Sequence, residues 1–132
     1  MHEVVVGALV REGRGLLVHR SAHKRAYPGV WDLPGGHVDP GESELGALAR
    51  ELREELGVEI ATGSTSPLCR VVAGPPGERV LLSAWLVLDW QGAPANVAPE
   101  EHDDIRWFSR EDMPPLAHGP VRTALMDAMG SG

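Results

Sequence analysis

The chain has 132 residues, 42% hydrophobic and 23% charged, which is enough for one globular domain over residues 1–132 with a sizeable core and too little for two. No apolar run approaches the roughly 20 residues that span a bilayer, so a membrane partner is not expected. A net charge of −7 and a pI near 5.3 argue against a nucleic-acid polymer, whose binding needs phosphate neutralisation, yet allow a small phosphate compound if cations bridge the two anions.

Met1-His2-Glu3 has no basic stretch of the signal-peptide kind, and the expected location is the cytoplasm. Glu3 to Arg11 is rich in valine and reads as a strand, followed by a turn at Gly13-Arg14-Gly15 and a partner strand Leu16 to Arg20. Ser21 to Gly29 is a polar loop. Val30 to Leu33 is a short extended piece broken by Pro34-Gly35-Gly36, where glycine permits close backbone approach. Ser43 caps a helix that Gly57 ends. Val58 to Ala73 contains a strand interrupted around Gly63 to Pro67, and Gly74-Pro75-Pro76-Gly77 is a turn. Arg79 to Trp90, the longest apolar run, reads as a central strand. Gly92 to His102 is a loop, Ile105 to Phe108 a last strand, and Pro120 to Met129 a closing helix with proline in its first turn. Elements alternate too irregularly for a doubly wound sheet; a mixed sheet with helices on both faces suits better.

Cys69, the single cysteine, rules out an internal disulfide and a cysteine-based zinc site, and reads as a small buried hydrophobe. Trp31, Trp85, Trp90 and Trp107 read as packing residues, with Trp31 and Trp107 placed to border a pocket.

The helix behind the Pro-Gly-Gly turn carries the chemistry. Leu45, Leu48, Ala49, Leu52 and Leu56 form its apolar stripe. Glu51, Glu54 and Glu55 stand at i, i+3 and i+4, so their carboxylates share a flank. Like charges this close must be relieved, and a hard divalent cation such as Mg2+ or Mn2+ is the natural partner of carboxylate oxygens.

Gly36 to Val58 resembles the signature of the Nudix family position for position: Gly36, five residues, Glu42, seven residues, Arg50-Glu51, Leu52, one residue, Glu54-Glu55, one residue, Gly57-Val58. The Leu-Pro-Gly-Gly lead-in, the segment Pro99 to Phe108 and the chain length are similar to compact MutT-type members. The resemblance implies an α/β (α+β) fold, a mixed sheet between helices in an α/β/α sandwich. It implies hydrolysis of a nucleoside diphosphate linked to another group X, with Mg2+ or Mn2+ as cofactor.

Residue by residue, it implies metal ligation by Glu51, Glu54 and Glu55, with a contribution from the Gly36 carbonyl and from Glu101 (Glu100 next) in the loop before the last strand. Glu51 or Glu54 would take the proton of the attacking water. Arg50 would tie the acidic cluster together through Glu54 or Glu42. Arg20 and Arg79 are candidate phosphate or base contacts, with His23 and His118 as weaker candidates for the base pocket. The leading expectation is a pyrophosphohydrolase acting on a nucleoside triphosphate or modified triphosphate. The alternatives are a nucleotide-sugar (ADP-ribose-type) pyrophosphatase and a non-catalytic nucleotide-sensing module. A homodimer is compatible with the sequence, which does not name the base, the sugar or the number of metals.

Overall fold

A computed structural model describes residues 1–130; Ser131 and Gly132, included in the expected domain, lie outside the described residues. In chain order the elements are β1 (His2–Arg11), β2 (Arg14–Arg20), β3 (Trp31–Asp32), β4 (Gly35–His37), α1 (Glu44–Leu56), β5 (Glu59–Ile60), a 3-10 turn (Thr62–Ser64), β6 (Ser66–Ala73), β7 (Val80–Val87), β8 (Trp90–Gln91), β9 (His102–Ser109) and α2 (Gly119–Met129).

The first strand is the hub. β1 runs parallel to β7 along its length, from His2 opposite Val80 to Leu9 opposite Val87. Its other edge is shared by two antiparallel neighbours: β4 lies against Val4 to Val6, and β2 folds back at Val10 and Arg11. β2 also carries β3 and β9, both antiparallel, and β6 closes the far edge on β7. One parallel pair among antiparallel ones makes the sheet mixed, as the irregular alternation of elements implies. β5 and β8 form a separate small ladder.

Both faces of β1 are buried, and its period-2 alternation deals side chains to two cores. Val5 and Leu9 join Leu16, Val18, Leu48, Leu52 and Leu56 beneath α1. Val6 and Ala8 join Leu17, Leu82, Ala84, Val121 and Leu125 beneath α2. The helices therefore cover opposite faces. α1 seats tightly because Gly7 has no side chain: a Cβ there would meet Leu48 Cδ1 at 3.1 Å and Leu52 Cδ1 at 3.2 Å.

Several boundaries differ from the sequence reading. Gly35 and Gly36, expected in a Pro34-Gly35-Gly36 turn, form with His37 a strand on β1. A Cβ on Gly35 would fall 2.0 Å from the Val5 carbonyl oxygen, so only glycine allows that pairing. β7 stops at Val87 rather than Trp90, because Trp90 leaves the main sheet to pair with Ile60. β9 begins three residues early, at His102, extending its ladder with β2 as far as Arg20. Cys69 is half-buried rather than buried, and burial pushes its thiol pKa up. The tryptophans pack as expected: Trp90 stacks on Trp107, Trp31 meets Phe108 edge-on, and Trp85 Nε1 donates to Glu44 at 2.7 Å.

Candidate active site

α1 is fixed at both ends by its own sequence. Ser43 Oγ accepts from the Gly46 N–H at 3.0 Å, satisfying one of the free N–H groups of the first turn. Gly57 ends the helix in the left-handed region (φ 71°), with its N–H donating to the Arg53 carbonyl. Between these caps the leucine stripe sets the rotation of the helix on the sheet, and that rotation aims the glutamates.

Arg50 organises the outer carboxylates. Its Nε and Nη2 donate to the two oxygens of Glu42 at 2.8 and 2.9 Å, a bidentate pair. Its Nη1 donates to Glu51 at 3.0 Å and to Glu54 at 3.4 Å, and its Nη2 also reaches the His37 carbonyl at 3.1 Å. The guanidinium bond, with help from the Asp39 N–H, holds the Glu42 carboxyl down at about 2. The same carboxylates raise the Arg50 pKa further. One guanidinium thus links the turn after β4 to three glutamates.

Glu51 lies directly on the bare Cα of Gly36: a Cβ there would stand 2.5 Å from the Glu51 carboxyl carbon. This contact brings the first residue of the signature to the glutamate fifteen positions on, and it explains why a glycine is needed. The Gly36 backbone has an ordinary φ, so the requirement is space rather than conformation.

Glu55 is the departure from the sequence reading. The apolar stripe was expected to lie well away from the glutamate flank, but Glu55 is only 1% exposed. It sits at the border of the stripe, and the loop after β8 folds over it: Val97 N–H donates to the Glu55 carbonyl and Ala95 N–H to that of Leu56. Neither carboxylate oxygen has a hydrogen-bond partner. His102 Nε2 stands 3.2 Å from Glu55 Oε1, within ion-pair range but outside hydrogen-bond alignment. Burial, followed by the adjacent Glu51 carboxylate and then Glu101, drives the Glu55 pKa strongly upward. Burial also lowers the pKa of His102.

The remaining candidates divide. Glu101 is tied to Lys24 Nζ at 3.1 Å, and its carbonyl accepts from the Ser21 N–H, so the loop before β9 is fastened to the loop after β2. Glu100 is exposed on the same turn. Arg20 donates from Nε and Nη2 to the Ala26 carbonyl at 3.0 and 2.8 Å, bracing the Ser21–Gly29 loop. Arg20 and His118 both line a cleft of about 600 Å³ that also holds Lys24, Arg25, Tyr27 and His37. His23 is exposed and does not line it. Arg79 lies in a separate depression with Met1, His2 and Gly77. His37, next to Gly36, lines the cleft, and its carbonyl accepts from Arg50.

Lys24, Arg25, Tyr27, His37 and His102 were not singled out from the sequence. The Ser21–Gly29 segment reads only as a polar loop, and that Lys24 and Arg25 both line the cleft comes from how the loop is folded back on Arg20. A single buried histidine at the first position of a strand leaves no periodic signal.

The donor chemistry fits a hard divalent cation. All the acidic donors are carboxylate oxygens, and two of them are buried without partners, a costly arrangement unless a cation offsets it. Among the described residues no three acidic, histidine or cysteine side chains stand close enough together to hold a metal as they are. Arg50 engages Glu51 and Glu54 in this arrangement.

The NUDIX domain family model matches residues 1–128. The chain belongs to the NUDIX family. The CTP pyrophosphohydrolase of Escherichia coli K12 is 37% identical over 130 residues, covering 97% of this chain and 90% of that protein. Nucleoside triphosphatase NudI of Klebsiella pneumoniae (strain MGH 78578) is 35% identical over 120 residues, covering 85% of each. Among solved structures, the MutT NUDIX hydrolase of Burkholderia pseudomallei superposes with a TM-score of 0.83 at 35% identity, covering 94% of this chain and 95% of that one. As a NUDIX hydrolase the chain is a nucleotide pyrophosphohydrolase, and a divalent-cation requirement is general to the family. No helix among the described residues is long and apolar enough to cross a membrane.

Proposed function

We propose that the chain converts a nucleoside triphosphate, ordinary or modified, to the monophosphate and pyrophosphate, using Mg2+ or Mn2+. The observation that carries this reading is a buried, unpartnered Glu55 carboxylate together with a cationic cleft tied to the glutamates through Lys24, which holds Glu101, and through the His37 carbonyl, which accepts from Arg50. The cleft volume lies within the roughly 300–1,000 Å³ typical of small-ligand sites. Its Arg20, Lys24 and Arg25 concentrate positive charge on a chain that is acidic overall, which favours a polyphosphate over other anions.

Glu51, Glu54 and Glu55 would hold the cation, with Gly36 and Glu101 at the margin. When bound, the cation neutralises the phosphoanhydride and lowers the pKa of a water. The protein's own part is orientation and proton transfer. Gly36 leaves room for the Glu51 carboxylate, Arg50 keeps Glu51 and Glu54 in register with Glu42, and a carboxylate oxygen of Glu51 or Glu54 accepts the proton of the attacking water. Arg20 and Lys24 face the leaving phosphates, and His118 with Tyr27 (ring centroids 4.8 Å apart) forms a wall for the base. The two relatives cited act on nucleoside triphosphates by name, which supports this substrate class over a nucleotide sugar. A cytoplasmic setting, where such substrates are made, belongs to the same proposal.

The test is a Mg2+-dependent hydrolysis screen over nucleoside triphosphates, nucleotide sugars and dinucleoside polyphosphates with product identification. Pyrophosphate plus a monophosphate supports the proposal; AMP plus a sugar phosphate would replace it with the nucleotide-sugar reading.

A further inference from the structure

The mechanism leaves two buried titratable groups unused, Asp32 and His102, and of these His102 faces the glutamate helix. His102 is 4% exposed, directly under Glu55, and belongs to β9 rather than to the glutamate helix. Its backbone is held on two sides: its N–H donates to the Ala98 carbonyl at 3.0 Å, and its carbonyl accepts from Asn96 Nδ2 at 2.8 Å. Its partner across the ladder is Arg20, where a bulge shifts the register and re-aims the strand end. The imidazole is thereby carried into the interior with Nε2 3.2 Å from Glu55 Oε1 and with Nδ1 unpartnered.

Packing alone does not explain a histidine here. An apolar ring of similar size would fill the space without burying an unsatisfied nitrogen, which costs free energy. What the imidazole adds is a polar atom facing one oxygen of a carboxylate that has no other partner. We propose that His102 is a positioning residue that fixes the rotation of the Glu55 carboxylate, engaging Oε1 and leaving Oε2 free for a cation. The contact is 3.2 Å but out of hydrogen-bond alignment here, as catalytic contacts commonly are before a site is loaded. The inference rests on the reading of Glu55 as a cation ligand. Groups that orient ligands in this way typically contribute 10–100-fold to metal affinity.

The experiment measures Mn2+ binding to the nucleotide-free full chain through loss of the free-ion EPR signal, with folding checked by circular dichroism. His102→Phe, which keeps the ring and removes the polar atoms, is expected to weaken Mn2+ binding by about tenfold or more. His102→Gln, which supplies both a donor and an acceptor, is expected to recover wild-type affinity. At saturating Mn2+, His102→Phe lowers kcat and leaves the nucleotide KM unchanged. Should phenylalanine prevent folding, His102→Met reads the same effect. Wild-type Mn2+ affinity in folded His102→Phe, or a His102→Gln as weak as His102→Phe, overturns the assignment. Glu55→Gln runs alongside. If it keeps wild-type Mn2+ binding, the ligand reading fails and this inference with it; if it loses binding while His102→Phe does not, only the positioning role fails.

Discussion

Replacing Glu55 by glutamine should make the metal-free protein more stable at neutral and alkaline pH, by an amount that grows with pH. Glu55 is buried without hydrogen-bond partners and its pKa is raised above the ordinary 4.5. Below 4.5 the group is protonated in both folded and unfolded chains and costs nothing. Above it the unfolded chain ionises while the folded chain keeps its proton, so stability is lost steadily as pH rises toward the raised value. The slope is at most about 1.4 kcal/mol per pH unit. With an unfolding entropy of about 2.1 cal/mol/K per residue, a chain of this length loses about 5 °C in Tm per pH unit from this group. The assay is thermal unfolding in EDTA at pH 6, 7 and 8 for wild type and Glu55→Gln, so that groups common to both cancel in the difference. Between pH 6 and 8 the variant should gain up to ~10 °C relative to wild type. Adding Mg2+ or Mn2+ should close the gap by stabilising wild type alone. A Tm difference that stays constant from pH 6 to 8 would refute the reasoning, because it would mean that Glu55 ionises as readily in the fold as in water.

Three further outcomes are expected. Gly36→Ala puts a methyl group 2.5 Å from the Glu51 carboxyl carbon, and the displaced carboxylate should lower kcat by about 10²-fold with little change in Tm; steady-state kinetics beside a melting curve checks this. Arg50→Gln releases Glu42, Glu51 and Glu54 from one guanidinium and should reduce kcat/KM by about 10–100-fold, measured at several Mg2+ concentrations. Leu52→Ala, which empties a fully buried position under β1, should cost about 2–5 kcal/mol in urea unfolding while leaving the KM of the surviving folded fraction unaltered.

Much of this was legible in the residues. Ser43 and Gly57 mark the ends of α1 because capping chemistry is local, and the leucine stripe gives its buried face because it depends only on helical period. β1 follows from a valine-rich run and β2 from Leu16-Leu17-Val18, on either side of a glycine turn. The misses share a cause. β4 carries no strand signal in Gly35-Gly36-His37; it exists because bare backbone can approach Val5. Glu55 projects between the apolar stripe and the charged flank, and its burial is decided by a loop some forty residues on, without periodicity of its own. The division of Arg20 and Arg79 between separate hollows likewise comes from how the sheet seats distant strand ends.

The placement of β1 also bears on how the chain is made. β1 precedes the other elements of the fold yet sits at the centre of the sheet, and its parallel neighbour β7 follows only after β2 to β6 and α1. At roughly 5–20 residues per second, the 68 residues between Arg11 and Val80 take several seconds or more to synthesise. Throughout that interval a valine-rich segment waits without its parallel partner, so slower growth or added chaperone capacity should raise the soluble yield.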